Sequence, residues 1–475
     1  MKRLFLFMTL LVVVLSVSAQ AKYVFYFIGD GMGSNQLLGA EMYRSALAGE
    51  PLGRVQTLMT TFPYTGEVTT HSATNGITDS AAAGTCLATG SKTANGTLGL
   101  DIEGDTLVTI AEILKAKGWG IGLTTTVAID HATPAAFFGH VKERNEYYQL
   151  GKQLIASNFD FFGGAGFHHP QGKNDNKKHN LYRMAEKEGY TILHGWEEAQ
   201  QIRHDMPQST KAPQTEINKV IMVQATDDQG AKHGSNLPYV IDRKEGDLTL
   251  SQIVEMATLF LNDRYERFFM MVEGGMVDYA CHGDDGRTAI EEVLDMDEAL
   301  QQAWRFYQEH PDETLIVVTA DHETGGMGLG NGGYTLHLDV LQHQKCSAWV
   351  LSDIFTQLFE EHKKPSWEQV KQVYTEQLGF WKDVEITDEE EAELHNCYKD
   401  AIHHKGKETK TLYKNINALG DAGIRLLNKK AHIGWTSHSH TAHTVPVFAI
   451  GVGAERFCGW HDNTEIVPLI LQAVE

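Results

Sequence analysis

Tyr23-Val24-Phe25-Tyr26-Phe27-Ile28-Gly29-Asp30-Gly31-Met32-Gly33 decides the fold class of this chain. Six apolar residues run without polar interruption and stop at a Gly-Asp-Gly turn. An unbroken apolar run predicts a strand buried on both faces, which belongs to a parallel sheet covered by helices. A helix is expected from about Ser34. The same pattern recurs twice. Phe268 to Val272 is a buried strand ending in Glu273-Gly274-Gly275, and Thr314 to Thr319 ends in Ala320-Asp321-His322.

Working outward, Gly120 to Val127 is a further strand candidate. Helical periodicity marks Thr106 to Lys117, Gln149 to Ser157, Leu181 to Glu188, Leu250 to Leu261 and Thr288 to Tyr307. Val445 to Ile450 and Thr464 to Val474 close the pattern with a strand and a helix. Strands alternating with helices predict an α/β fold: a mostly parallel central sheet with helices on both faces. Residues 330–430 break the alternation. They are polar, rich in His and Lys, and helix-like, as in Trp367 to Leu378 and Asp388 to His403. This segment reads as a helical cap inserted over the carboxyl edge of the sheet, or as a surface excursion with no part in the chemistry. The catalytic domain is then 22–329 together with 431–475.

The 475 residues exceed what one core usually supports, which suits a large domain carrying an insertion. The formal net charge of −22 excludes nucleic acid as a recognition target. An anionic substrate would need bound cations or Arg to attract it locally. Residues 1–21 read as a secretory signal peptide. Lys2 and Arg3 precede the apolar stretch Leu4 to Leu15, and Val17-Ser18-Ala19 or Ala19-Gln20-Ala21 offers a cleavage site. Losing Lys2 and Arg3 takes the charge to about −24. The location expected is periplasmic or extracellular, with no membrane anchor. Five Cys leave at least one thiol free. Cys86 and Cys281 read as thiols, and Cys346, Cys397 and Cys458 are candidates for one bridge.

In open α/β sheets ligands collect at the carboxyl ends of the strands. Here three buried strands end in Asp30, Glu273 and Asp321. Asp278 and His282 follow as D-x-x-x-H, His322 sits beside Asp321, and residues 437–443 bring His438, His440 and His443. Mixed carboxylate and imidazole donors suit Zn²⁺, and oxygen-only sets suit Mg²⁺. Asn75 to Thr93 (NGITDSAAAGTCLATGSKT) predicts a helix opening at Asp79 or Ser80 and ending at Gly90. Its small residues would let it pack close to a sheet. A serine at that start lies among free N–H groups that favour a phosphate.

Taken together these motifs resemble the alkaline phosphatase family. They are Ile28 to Gly33, Thr78-Asp79-Ser80-Ala81, His131-Ala132-Thr133-Pro134 with Arg144 downstream, Glu273 to His282, Thr319 to Glu323, and His440-Thr441-Ala442. They fall in the family's order and span nearly the whole chain outside the insertion. The resemblance implies a metal-dependent hydrolase of small phosphate monoesters that also binds inorganic phosphate. Ser80 is implied as the nucleophile that becomes phosphorylated. Arg144 is implied to grip two phosphate oxygens, oriented by Asp79. Two Zn²⁺ and one Mg²⁺ are implied. One zinc falls to Asp278, His282 and His440, and the other to Asp30, Asp321, His322 and the Ser80 oxygen. The magnesium falls to Asp30, Thr133 and Glu273. The family is usually dimeric, and a homodimer is carried over on that ground alone.

Two positions depart from the best-known bacterial pattern, which has Asp at His131 and Lys at Tyr279. Animal enzymes have His at both. An imidazole at His131, beside the third metal, suits Zn²⁺ better than Mg²⁺. His71, His168 and His169 are read as surface or core residues. A phosphodiesterase on the same scaffold is the alternative activity. A sulfatase would need a formylglycine motif, which Thr78-Asp79-Ser80-Ala81 is not. A non-catalytic metal binder would leave Ser80, Thr133 and Arg144 without a purpose.

Overall fold

The computed structural model describes residues 20–171, 180–205, 217–225, 236–403 and 408–475. The expected signal segment, apart from Gln20 and Ala21, lies outside the described residues.

The apolar run becomes β1 (Tyr23–Gly29), buried beyond its first residue. The other strands are β2 (Tyr64–Thr69), β3 (Gly120–Thr125), β4 (Phe161–Gly164), β5 (Tyr190–His194), β6 (Lys219–Val223), β7 (Phe268–Gly274) and β8 (Thr314–Ala320). Four short pieces follow: β9 (Glu323–Thr324), β10 (Gly328–Leu329), β11 (Ile433–Gly434) and β12 (His440–Thr441). β13 (Val445–Gly451) and β14 (Gly459–Asp462) complete the set. Ten of them form one sheet in the order β14-β2-β13-β8-β1-β7-β3-β4-β6-β5.

The sheet is parallel except at β13, which runs antiparallel to both β2 and β8. An apolar run carries no record of strand direction, so this reversal was not predictable from it. β2, β4, β5, β6 and β14 also escaped the sequence reading. They are four to six residues long, and a run that short does not separate strand from buried helix or loop. Phe25, Phe27, Phe268 and Phe269 are fully buried. Each contributes about 1.5–3 kcal/mol by leaving water.

β1 lies between β7 and β8. Ile28 pairs with Glu273 on one side, and Gly29 pairs with Ala320 on the other. This register brings Asp30, Glu273 and Asp321 to one level at the carboxyl edge.

The helix expected over Thr106 to Lys117 is shorter, Ile110–Ala116. Thr109 caps it, with Glu112 completing a capping box, so the preceding residues cannot be helical. The expected bridge among Cys346, Cys397 and Cys458 is absent, and all five thiols are free. Cys346 is buried, Cys458 is exposed, and the Cys397 thiol donates to Ala418 O.

Between β10 and β11 the chain is mainly helical: Ala348–His362, Trp367–Leu378, Asp388–Ile402 and Ala418–Ala431. β10 and β11 pair antiparallel and form the neck of this segment.

Candidate active site

Helix α1 (Ser34–Ala48) follows β1, and helix α2 (Ser80–Thr89) starts at Ser80 for a local reason. Asp79 has extended backbone and accepts from Ala82 N–H at 3.0 Å, a standard N-cap. Gly90, left-handed at φ 73°, closes the helix. The small residues do not set α2 flat on a sheet. A Cβ on Gly84 would lie 3.1 Å from Ala136 Cβ and 3.4 Å from Thr133 Cα, so the close approach is to the short helix Ala132–Ala135. That contact brings the residue pair His131 and Thr133 near Ser80.

Asp79 also ties two neighbouring elements to the start of α2. Its Oδ1 accepts from Gly96 N–H at 3.0 Å, and its Oδ2 accepts from Arg144 Nη1 at 3.1 Å. Asp79→Asn retains a cap acceptor but loses the charged partner of Arg144. It should weaken phosphate binding about fivefold, near 1 kcal/mol for a partly exposed pair, and leave the melting temperature unchanged. Asp79→Ala should in addition cost about 1 kcal/mol of stability through the lost cap. Phosphate inhibition and thermal melting of both variants measure the two effects separately.

Ser80 Oγ lies 3.3 Å from His322 Nε2, in a fully buried setting. His322 Nε2 is 3.4 Å from Asp30 Oδ1 and 3.2 Å from Asp321 Oδ2. Asp321 Oδ1 is occupied by the N–H groups of His322 and Gly31, at 2.9 and 3.2 Å. Gly31 is required there: its φ is +73°, and a Cβ would meet Thr324 Oγ1 at 2.8 Å and Asp278 Cα at 3.0 Å.

His440 stacks on His322 at 3.6 Å. Its Nδ1 contacts Thr78 O at 2.9 Å, and His282 Nδ1 contacts His438 O at 2.6 Å. A backbone carbonyl only accepts, so each Nδ1 donates, and in the neutral ring each Nε2 is then an acceptor. The two Nε2 atoms face one another at 3.2 Å, with Asp278 Oδ1 3.3 and 3.5 Å away. The other two imidazoles of that stretch turn elsewhere. His438 pairs with Asp284, and His443 is exposed beside Glu323.

On the far side of Asp30 lie His131 and Glu273, with one donor atom of each within 4.8 Å of the others. Two further groups meet the same spacing: Asp30, Asp321 and His322, and Asp278, His322 and His440. His322 therefore sits between two of them. Both Asp30 oxygens, Asp321 Oδ2, Glu273 Oε1, Thr133 Oγ1 and His131 Nδ1 are buried without a hydrogen-bond partner among the described residues.

Burial, with the charge of Asp321 added, pushes the Asp30 carboxyl well above the usual carboxylate range. Burial and Asp278 push Asp321 up to about 7, and burial raises Glu273 to about 8. Burial takes His131 down to about 3, helped by Arg144. Orphaned acceptors, mutually repelling carboxylates and facing imidazole lone pairs in one pocket are costly alone. Cations relieve all three conflicts at once, so the residues present fit metal ions.

The family model for alkaline phosphatase matches residues 21–475. The chain belongs to the alkaline phosphatase family. It is a phosphoric monoester hydrolase, and its family is metal-dependent. Alkaline phosphatase 3 of Bacillus subtilis is 29% identical, aligned over 96% of this chain and 89% of its own length. The repressible alkaline phosphatase of Saccharomyces cerevisiae is also 29% identical, over 95% of this chain and 81% of its own. Among solved structures, a cold-active alkaline phosphatase from a psychrophilic Shewanella species superposes with TM-score 0.77 at 26% identity. It covers 95% of this chain and 99% of the other. The Thermus thermophilus enzyme gives 0.75 at 25%, covering 96% and 91%.

Side chains that the motifs left without a role pack around this cluster. Thr324 Oγ1 donates to Asp278 Oδ1 at 2.5 Å. Glu323 accepts from Gln36 Nε2 at 2.6 Å, from Thr441 Oγ1, and from the N–H groups of Gly326 and Met327. Together with the β9–β12 pairing, Glu323 holds the strand that carries His440. Both follow directly on Asp321-His322, which was a readable signal. Tyr413, from the mainly helical stretch between β10 and β11, donates to Asp278 Oδ2 at 2.9 Å and had no such signal.

Proposed function

We infer that this chain is a secreted alkaline phosphatase that passes the phosphoryl group of a monoester through Ser80. The reading gives it two zinc ions and one magnesium. The observation that carries it is the position of Ser80 Oγ at the open end of α2, 3.3 Å from His322 Nε2 and flanked by Asp79 and Arg144. The N–H groups of the first turn and the helix dipole favour a phosphate on Ser80. Arg144, anchored by Asp79, offers a fork for two phosphate oxygens. His282 and His440, with Nδ1 tied to carbonyls, present Nε2 together with Asp278 for one zinc. Asp30, Asp321 and His322 are assigned to the other, and Asp30, Thr133 and Glu273 to the magnesium. When bound, the metals supply Lewis-acid neutralisation of charge on the attacking and leaving oxygens.

Rates on a phosphate monoester and its matching diester, measured with the zinc and magnesium content of the purified protein, test the reading. The monoester should be turned over far faster, with about two zinc ions per chain. Equal rates, or protein active without metal, would overturn it.

His131 and Tyr279 are assigned the tuning of phosphate affinity and magnesium demand. His131 Nδ1 is one of the orphaned atoms, and its Nε2 lies 3.5 Å from Arg144 Nη2. A phenol at Tyr279 brings no positive charge to the cleft at neutral pH. His131→Asp should flatten the response of activity to added Mg²⁺, since a carboxylate suits that hard cation better. Tyr279→Lys should tighten inhibition by inorganic phosphate about five- to tenfold, the worth of one partly screened charge. A magnesium titration and a phosphate inhibition constant decide each half independently.

A further inference from the structure

From the segment between β10 and β11, Tyr413 touches the candidate metal centre. Tyr413 lies more than 130 residues from Asp278 in sequence, yet its hydroxyl is 2.9 Å from Asp278 Oδ2. A phenol is protonated at neutral pH and a carboxylate only accepts, so Tyr413 donates. Its ring lies flat on Tyr279, 3.5 Å between centroids and 5° between planes. Tyr279 belongs to the same short helix as Asp278 and His282, Met276–His282. The Tyr413 ring also meets His282 edge-on at 5.4 Å.

The segment grips the other end of that helix as well. The turn after His282 is Asp284-Asp285, with Asp284 left-handed at φ 51°. Asp285 accepts from Gln344 Nε2 at 2.9 Å and from Ala348 N–H at 2.7 Å. Asn428 Nδ2 donates to Asp284 O at 2.6 Å. A two-turn helix bearing two candidate ligands is thus held along its body and at the turn that follows it by residues from one segment.

We propose that Tyr413 is a positioning residue for the metal centre: it holds Asp278 Oδ2 so that Oδ1 stays turned toward His282 and His440. The proposal rests on the reading of Asp278 as a zinc ligand. Thr324 fixes Oδ1 from the opposite side, so the carboxylate has no freedom to rotate away. Partners that orient a ligand in this way are worth roughly 10–100-fold in metal affinity. The segment is then more than a surface excursion, because it fastens one ligand of the site.

The test is zinc affinity, measured on the metal-stripped purified protein by competition with a chelator of known strength. Tyr413→Phe keeps the ring stack and removes only the hydroxyl. It should weaken zinc binding about tenfold and speed zinc loss, lowering the melting temperature of the zinc-loaded protein more than that of the stripped protein. Tyr398→Phe, which removes a hydroxyl that donates to Pro365 O elsewhere in the same segment, should bind zinc as the unsubstituted protein does. Asp278→Asn should bind one zinc at least about a hundredfold more weakly. Wild-type zinc affinity in Tyr413→Phe beside a defective Asp278→Asn would overturn the role of Tyr413 and leave the metal-centre reading intact. Wild-type affinity in Asp278→Asn would overturn that reading itself. Equal loss of melting temperature in both states of Tyr413→Phe, with unchanged affinity, would assign the tyrosine to packing and overturn the proposal.

Discussion

Ser80→Ala should lower kcat by roughly a thousandfold or more while the protein keeps its metals. The loss is large because the two neighbouring hydroxyls of the motifs, Thr78 and Thr133, are not placed to take over the attack. Thr78 has its hydroxyl turned to Asp79 O, and Thr133 Oγ1 lies among the orphaned atoms assigned to magnesium. A missing nucleophile typically leaves only the residual rate that binding and charge stabilisation supply. The fold should not suffer, because Asp79 rather than Ser80 caps α2. Rapid acid quench of the native enzyme with labelled substrate should trap phosphate on Ser80, and the variant should trap none. A variant that kept near-native turnover, or trapped the label elsewhere, would show that Ser80 is not the attacking group.

Stripping the metals with a chelator should abolish activity and soften the protein together. Asp30, Glu273, Asp278 and Asp321 lie fully buried within one pocket. Without cations, burial and mutual repulsion hold three of them above the usual carboxylate range. Asp278 alone goes the other way, drawn well down against its burial by His282 and His440. An ion bound at a hundred times its dissociation constant stabilises the native state by about 2.7 kcal/mol. Chelation should therefore lower the melting temperature by several degrees, with activity falling at least about a thousandfold. Zinc should restore both, and magnesium alone should restore neither fully. Full activity after verified removal of zinc would sink the metal assignments.

Some of this protein was legible residue by residue. The apolar run Tyr23 to Ile28 forms a buried strand because burial on both faces demands apolar side chains at every position. The α2 helix begins at Ser80 because a cap is a contact between neighbours: Asp79 needs only the N–H of Ala82. Strand-end carboxylates and the Asp278–His282 spacing are local in the same way. Such features depend on a few adjacent residues, so their order in the chain carries them.

The tertiary structure decided what those pieces do to one another. Asp30, Glu273 and Asp321 come level only because β1 pairs between β7 and β8 in one register. The reversal of β13 is a matter of neighbouring backbones, and its apolar residues would read the same in either direction. Three histidines compete within residues 437–443, and His440 turns inward because the β9–β12 pairing sets which side chains face the cleft. Tyr413 is the extreme case. Nothing within its own polar surroundings marks it, and it meets Asp278 and Tyr279 only after a hundred-residue excursion has folded and docked. A side chain that fills a space built by distant elements is chosen by packing, and packing has no signature in the local order of residues.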